Sequence, residues 1–233
     1  MTNELDAIAA RYARRAGRGE ADRYSLLRPE VWQIWQERER ALLHLLARRP
    51  GRPADWRATE VGCGAGGNLL DLLRLGLAPD HLSGIELLPE RLALARAALP
   101  ERVTLLGGDA SQAPIAPASQ DLVLQSTVFS SILDDELQQR VAAAMWAWLK
   151  PGGAVLWYDF VVNNPRNPDV RGVPLARVRA LFPQGRLQAR RVTLAPPLAR
   201  MVCHVHPALY TLFNALPLLR THRLVLITKL DAR

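Results

Sequence analysis

From residue 56 onward, short apolar runs alternate with longer stretches of helical periodicity, and this rhythm leaves few folds open. The runs fall at about 57–61, 82–86, 103–106, 121–125 and 153–159, with helical patterns near 67–75, 89–99 and 134–149 between them. Strands joined through helices pair in parallel and are covered on both faces, so the pattern predicts a doubly wound α/β sheet. Pro89 suits a first helical turn, and Lys150-Pro151-Gly152-Gly153 ends a helix and turns the chain into a strand. The last third reads as a helix near 174–181, a strand near 186–194, a proline-broken apolar segment at 196–219 and a final strand at 222–229. Two helices, 4–16 and roughly 29–48, precede all this and flank a polar, glycine-bearing connection. A helical cap over residues 1–52 and a main domain over 53–233 are therefore expected.

The 233 residues are 49% hydrophobic and 22% charged, with a mean hydropathy of −0.03, which suits a soluble globular domain and excludes disorder, collagen and coiled coil. The start has no basic or apolar leader pattern, and no run of about 18 uncharged apolar residues occurs. Cys63 and Cys203 form neither a disulfide framework nor a CxxC metal spacing. A cytoplasmic protein without a metal centre is the expectation. The net charge of +8 is uneven: residues 1–159 hold 18 basic and 20 acidic side chains, residues 160–233 hold 12 and 2. Of the 30 basic residues 28 are arginine, the mark of an arginine-favouring genome as well as of carboxylate or phosphate recognition.

Glu60-Val-Gly62-Cys63-Gly64-Ala-Gly66-Gly67-Asn68 follows the first strand and opens the first helix, where an α/β sheet receives a nucleoside. Gly62, Gly64 and Gly67 satisfy the dinucleotide pattern GxGxxG, and Gly62, Gly64 and Gly66 satisfy a GxGxG. Three carboxylates bear on that choice. Glu60, two residues before the first glycine, would engage a positively charged ligand end and repel a pyrophosphate. Glu86 ends the second strand, from which an acid accepts hydrogen bonds from ribose hydroxyls. Asp109 follows the third strand, where it can accept from an adenine amine.

With these residues in view, the chain resembles the class I S-adenosylmethionine-dependent methyltransferases over about residues 56–160. The resemblance rests on the glycine loop, Gly84-Ile-Glu86-Leu87-Leu-Pro, Gly107-Gly-Asp109-Ala110, Gln120-Asp-Leu-Val-Leu-Gln125-Ser126 and Leu149-Lys-Pro-Gly-Gly-Ala-Val-Leu. It implies a Rossmann-like sheet in the order 3-2-1-4-5-7-6 with strand 7 antiparallel. It also implies S-adenosylmethionine as cofactor, Leu87 on the adenine face and the backbone around Gln125-Ser126 at the methionyl end. Tyr158-Asp159-Phe-Val-Val-Asn163-Asn164-Pro-Arg166 looks like a bacterial subgroup associated with small-molecule and glycan clusters, and it falls where this fold builds its acceptor pocket.

Tyr158, Asn163, Asn164 and Tyr24 are the expected catalytic-side residues, with Tyr24 as a lid. Tyr158, Asp159, His204 and His206 are the possible bases, and His222 is read as structural. Trp146 and Trp148, two apart on one helix, cannot both face the sheet, so one of them is expected to mark a partner surface. Methyl transfer to a small, possibly anionic acceptor of secondary metabolism leads. The alternative makes S-adenosylmethionine the substrate, its own amine closing to azetidine-2-carboxylate with release of methylthioadenosine. Nucleic-acid methylation is disfavoured, because Gln125-Ser126-Thr127-Val128 lacks the planar stack a flipped base needs. The apolar stretch 207–219 suits either a pocket cover or a membrane-surface contact.

Overall fold

The computed structural model describes residues 4–16, 25–163 and 167–230. Its helices are α1 (Glu4–Ala16), α2 (Pro29–Leu46), α3 (Gly67–Arg74), α4 (Pro89–Ala98), α5 (Asp135–Trp148), α6 (Leu175–Leu181), α7 (Pro196–Val205) and α8 (Ala208–Asn214). The strands are β1 (Ala58–Val61), β2 (Leu82–Glu86), β3 (Thr104–Gly107), β4 (Gln120–Ser126), β5 (Leu149–Phe160), β6 (Gly185–Leu194) and β7 (Arg220–Lys229). They form one seven-stranded sheet in the order 3-2-1-4-5-7-6. The pairs β1–β2, β1–β4, β2–β3 and β4–β5 are parallel, whereas β7 runs antiparallel to both β5 and β6. The sequence-based topology holds throughout. β5 begins four residues earlier than the sequence suggests, because Lys150–Gly153 continues the strand through a register shift against β4.

Period-two alternation along the strands divides the core between two faces. On one face Leu42, Leu45 and Leu46 of α2 and Leu69 and Leu72 of α3 meet Leu122, Leu124, Leu156 and Leu226. On the other, Val141, Met145 and Trp148 of α5 and Phe182 meet Val123, Val155, Trp157, Val225 and Ile227. α2 thus shares a core with the sheet. Trp148 is buried, and Trp146 packs its ring on Phe182 and under the Lys229 ammonium. Trp146 is half-buried, because α5 meets both the sheet and the α6–β6 turn. The segment 196–219 resolves into α7, α8 and a short 3-10 turn at Pro217–Leu219. It lies at the end of the sheet where the parallel strands finish, since Leu194 and Arg220 are paired there.

Candidate active site

The glycine loop turns from β1 into α3 with left-handed backbone at Gly62 (φ +65°), Gly64 (φ +57°) and Gly66 (φ +85°), conformations that side chains resist. A Cβ at Gly62 would also collide with Val128, and one at Gly66 would lie 2.7 Å from Leu99. The loop is held from the next strand: Gly64 N donates to Glu86 Oε2 at 2.7 Å, while Glu86 Oε1 accepts from Leu88 N at 3.0 Å. Glu86 is therefore a structural pin for the loop as well as the expected ribose acceptor. That second duty has no signature in its sequence spacing.

Glu60 is almost fully buried, its Oε1 accepting from Asn68 Nδ2 at 2.5 Å and its Oε2 left without a partner. Burial away from water pushes its carboxyl up to about 7, partly countered by the Asn68 bond and the Arg38 charge. A buried, unpaired carboxylate oxygen is costly unless a cation or a donor meets it. The residues thus fit a ligand with an ammonium end. The same burial, with Glu60 and Glu86 nearby, raises the Cys63 thiol to about 12, so Cys63 is a packing group and not a nucleophile.

Asp109 accepts from Ser111 N and Ser111 Oγ, both at 2.8 Å, and so caps the short turn Ala110–Gln112. The adenine-side role assigned to it leaves that cap in place, since each carboxylate oxygen has a second lone pair. Gln125 is buried, donating to Tyr158 O at 3.3 Å and accepting from Val128 N at 3.1 Å. It fixes the turn after β4 at Ser126.

α1 lies across this end of the sheet. Its residues Leu5, Asp6, Ala9, Ala10 and Ala13 face Leu87–Glu90 over an open cleft of about 510 Å³. Tyr12 stacks under the Arg91 guanidinium at 5.2 Å and approaches Ser131 Oγ at 3.3 Å, while Arg11 donates to Ser131 O at 2.9 Å. Arg91 in turn reaches over Gly64. Tyr12 is thus the α1 tyrosine that meets both the glycine-loop side, through Arg91, and the turn after β4, through Ser131. Tyr24 and Asn164 lie outside the described residues.

Beyond β4 and β5 the site is walled by α2. A cavity of about 30 Å³ is bounded by Arg38, Glu39, Asn68, Asp71, Ser126 and Tyr158 above an apolar floor that includes Leu124, Leu156 and Leu224. Asp71 gathers Trp35 Nε1 at 3.2 Å, Arg38 at 3.7 Å and Arg74 at 3.6 Å. Beside it burial raises Glu39 to about 7.

Tyr158 Oη shares a 2.8 Å hydrogen bond with Thr193 Oγ1, and burial pushes its phenol up to about 12. Tyr158 therefore stays protonated at neutral pH and acts there as a hydrogen-bonding group, not as a base. Asp159 is raised to about 7 by burial, and its two oxygens accept from Ser130 N and Phe160 N. His222 stacks on Tyr158 (5.0 Å, 15°) and is held neutral by burial, which lowers it to about 4. Asn163 Oδ1 accepts from Gly172 N at 2.8 Å, closing the loop after β5. His204 and His206 are exposed on α7 and just past its end.

α2 and α7–α8 are joined by a carboxylate that sequence reasoning missed. Glu37 Oε2 accepts from Tyr210 Oη at 2.7 Å and from Thr193 N at 2.9 Å. Its partners stand 156 and 173 positions away, so no local pattern announces it.

Comparison with known proteins agrees with this geometry. A methyltransferase-domain family model matches residues 58–153. That stretch is similar to a methyltransferase domain, and the seven-stranded sheet around it has the Rossmann-like methyltransferase fold. A curated relative, the tRNA N(3)-cytidine methyltransferase METTL2 of Gallus gallus, is 29% identical over 119 residues, which cover 48% of this chain and 32% of that protein. The chain therefore matches about a third of that relative's length. Among solved structures, a putative methyltransferase of Haloferax volcanii in complex with the Trm112 activator has TM-score 0.62 and 20% identity, covering 99% of this chain and all of that one. A possible histamine N-methyltransferase of Thermotoga maritima has TM-score 0.62 and 18% identity, over 90% and 95%. At these identities the structural likenesses speak to the fold.

Proposed function

We propose that the protein transfers a methyl group in line from S-adenosylmethionine to an oxygen or nitrogen of a small acceptor. The acceptor enters between α2, the turn after β4 and α7–α8. The observation that carries this reading is the buried, unpaired Glu60 Oε2 beside a left-handed glycine loop that Glu86 holds in place. Glu60 would hold the amino-acid end, Glu86 the ribose, Leu87 and Ala110 the adenine face, and Asp109 its amine. The cofactor supplies an already activated sulfonium methyl, so the chain's task is to align an uncharged nucleophile and exclude water. Tyr158 and Ser126, which line the small cavity under α2, would orient the acceptor. The His222 ring, which burial keeps neutral, stacks on Tyr158 and braces the phenol rather than taking the proton.

The test is incubation with S-adenosylmethionine alone and then with acceptor panels, following nucleoside products by mass spectrometry. Adenosylhomocysteine that appears only with an acceptor supports the reading. Methylthioadenosine formed without one makes the cofactor the substrate and replaces methyl transfer by cyclisation. A second reading, methylation of RNA, draws on the METTL2 likeness and the basic last third. The turn Gln125–Val128 presents no aromatic plane to a flipped base, which weighs against it. Methyl incorporation into a tRNA pool, with none into small acceptors, would reverse that ranking.

A further inference from the structure

The α7–α8 hairpin and the short turn that follows it carry apolar side chains that the fold does not bury. Val205 is 74% exposed, Leu212 65% and Leu218 88%, with Met201 and Leu216 also in water. The opposite sides of the same helices are fully used: Ala199, Val202, Cys203 and Tyr210 pack with Leu194 in a small core of their own. The outer faces are therefore unpartnered, although the helices are anchored firmly.

Their electrostatic setting points to what covers them. No aspartate or glutamate occurs from residue 170 to 230, against ten arginines and lysines. Among the described residues, the ion pairs of this stretch run from Arg171 and Arg177 to Asp135, and none involves Arg191, Arg200, Arg220 or Arg223. Arg191 and Arg223 stand directly opposite each other on β6 and β7, an unfavourable like-charge pairing, with the buried Asp159 of β5 in register on the other side of Arg223. Arg223 Nε is buried without a hydrogen-bond partner. Arg220 donates to Asn214 O at 2.7 Å and Arg191 approaches Pro217 O at 3.5 Å, so these cations sit at the foot of the exposed leucines.

We infer that the α7–α8 hairpin docks on an anionic lipid surface, with its exposed aliphatic side chains in the acyl boundary and the surrounding arginines on lipid phosphates. Leucines protruding beside unpaired arginines match the interface between headgroups and chains. A nucleic-acid groove would take the arginines and leave the leucines in water. Among the described residues no helix is long and apolar enough to cross a membrane, so the contact is peripheral. Because α7 packs on α2 at the end of the sheet where the site opens, docking would turn that end toward the lipid. The inference stands apart from the methyl-transfer reading, since it needs no cofactor.

Co-sedimentation of the full chain with phosphatidylglycerol–phosphatidylcholine vesicles and with pure phosphatidylcholine vesicles tests it. Binding should be at least about tenfold stronger to the anionic vesicles and should weaken as salt is raised. The double variant Leu216→Asp/Leu218→Asp, both positions being exposed, should lose about tenfold while its thermal melt stays unchanged. Leu94→Asp, an exposed leucine on α4, should bind as the parent does. Equal binding to both vesicle types, or binding that the double variant keeps, overturns the proposal. So does tighter binding to tRNA than to anionic vesicles that the leucine substitutions leave untouched, which would assign the face to nucleic acid.

Discussion

The two halves of the site are held together over very different distances along the chain. Around the glycine loop the anchoring bonds join neighbouring motifs: Glu60 to Asn68, Glu86 to Gly64 and Leu88, Asp109 to Ser111. On the acceptor side they join remote segments: Tyr12 to Ser131, Tyr158 to Thr193, Glu37 to Tyr210. The first set follows from strand–loop–helix geometry and recurs wherever that geometry does. The second depends on which loops meet over the sheet, which leaves it free to differ with the acceptor.

If this contrast is real, the largest single loss should come from Glu86→Ala. It strands two buried N–H donors, Gly64 N and Leu88 N, at roughly 1–3 kcal/mol each. Calorimetry should show S-adenosylmethionine affinity and melting temperature falling together. Loss of affinity with an unchanged melt would make Glu86 a ligand group alone and would break the comparison.

Glu60 should show the opposite coupling of stability and binding. Its carboxyl is raised from 4.5 to about 7 in the folded protein by burial. Below pH 4.5 it is protonated in both states and contributes no pH dependence. Between 4.5 and 7 the folded state alone keeps the proton, so stability falls as pH rises, by about 3 kcal/mol across the window. Glu60→Gln should therefore melt higher than the parent at pH 8 while binding S-adenosylmethionine more weakly. Asp159 and Glu39 are raised to about 7 as well, so the difference between variant and parent isolates the part due to Glu60. Parallel melting curves for the two proteins from pH 5 to 8 would rule out this account of the buried carboxyl.

On the acceptor side, Tyr210→Phe removes the hydroxyl donor to Glu37 and leaves the ring in its core. A loss of about 1–2 kcal/mol in stability is expected, with a raised acceptor KM and an unchanged cofactor Kd. An equal shift in cofactor affinity would show that the two halves are coupled through α2.

The contrast also explains what could be read in the sequence. Strand positions, the glycine loop and the three acids at or just past β1, β2 and β3 were legible, because each is signalled within a few residues of itself, whereas the strand order came from the resemblance those motifs carry. Tyr12 was weighed only beside Tyr24, since nothing local tells which tyrosine will meet Arg91. Glu37 looked like one more polar position on α2, because Thr193 and Tyr210 enter its surroundings only after the sheet has closed. The cover over Trp146 was hidden for the same reason: Phe182 arrives from the turn into β6.

The smallest expected effect is the one that tests whether α1 belongs to either half. Along its length α1 touches both, facing Leu87–Glu90 on the cofactor side and Ser131 beyond β4. Tyr12→Phe keeps the ring under Arg91 and removes the 3.3 Å contact to Ser131 Oγ. Such a long hydroxyl contact contributes about 0.5–1 kcal/mol, so S-adenosylmethionine should dissociate a few times faster with its association rate unchanged. Tyr12→Ala, which also removes the cation–π contact worth about 0.5–1 kcal/mol at a partly exposed site, should speed release further. A lid that closes the cofactor side alone would leave acceptor KM untouched in both variants. A rise in KM that tracks the faster release would instead make α1 the strap through which the locally built half and the remotely built half are closed together.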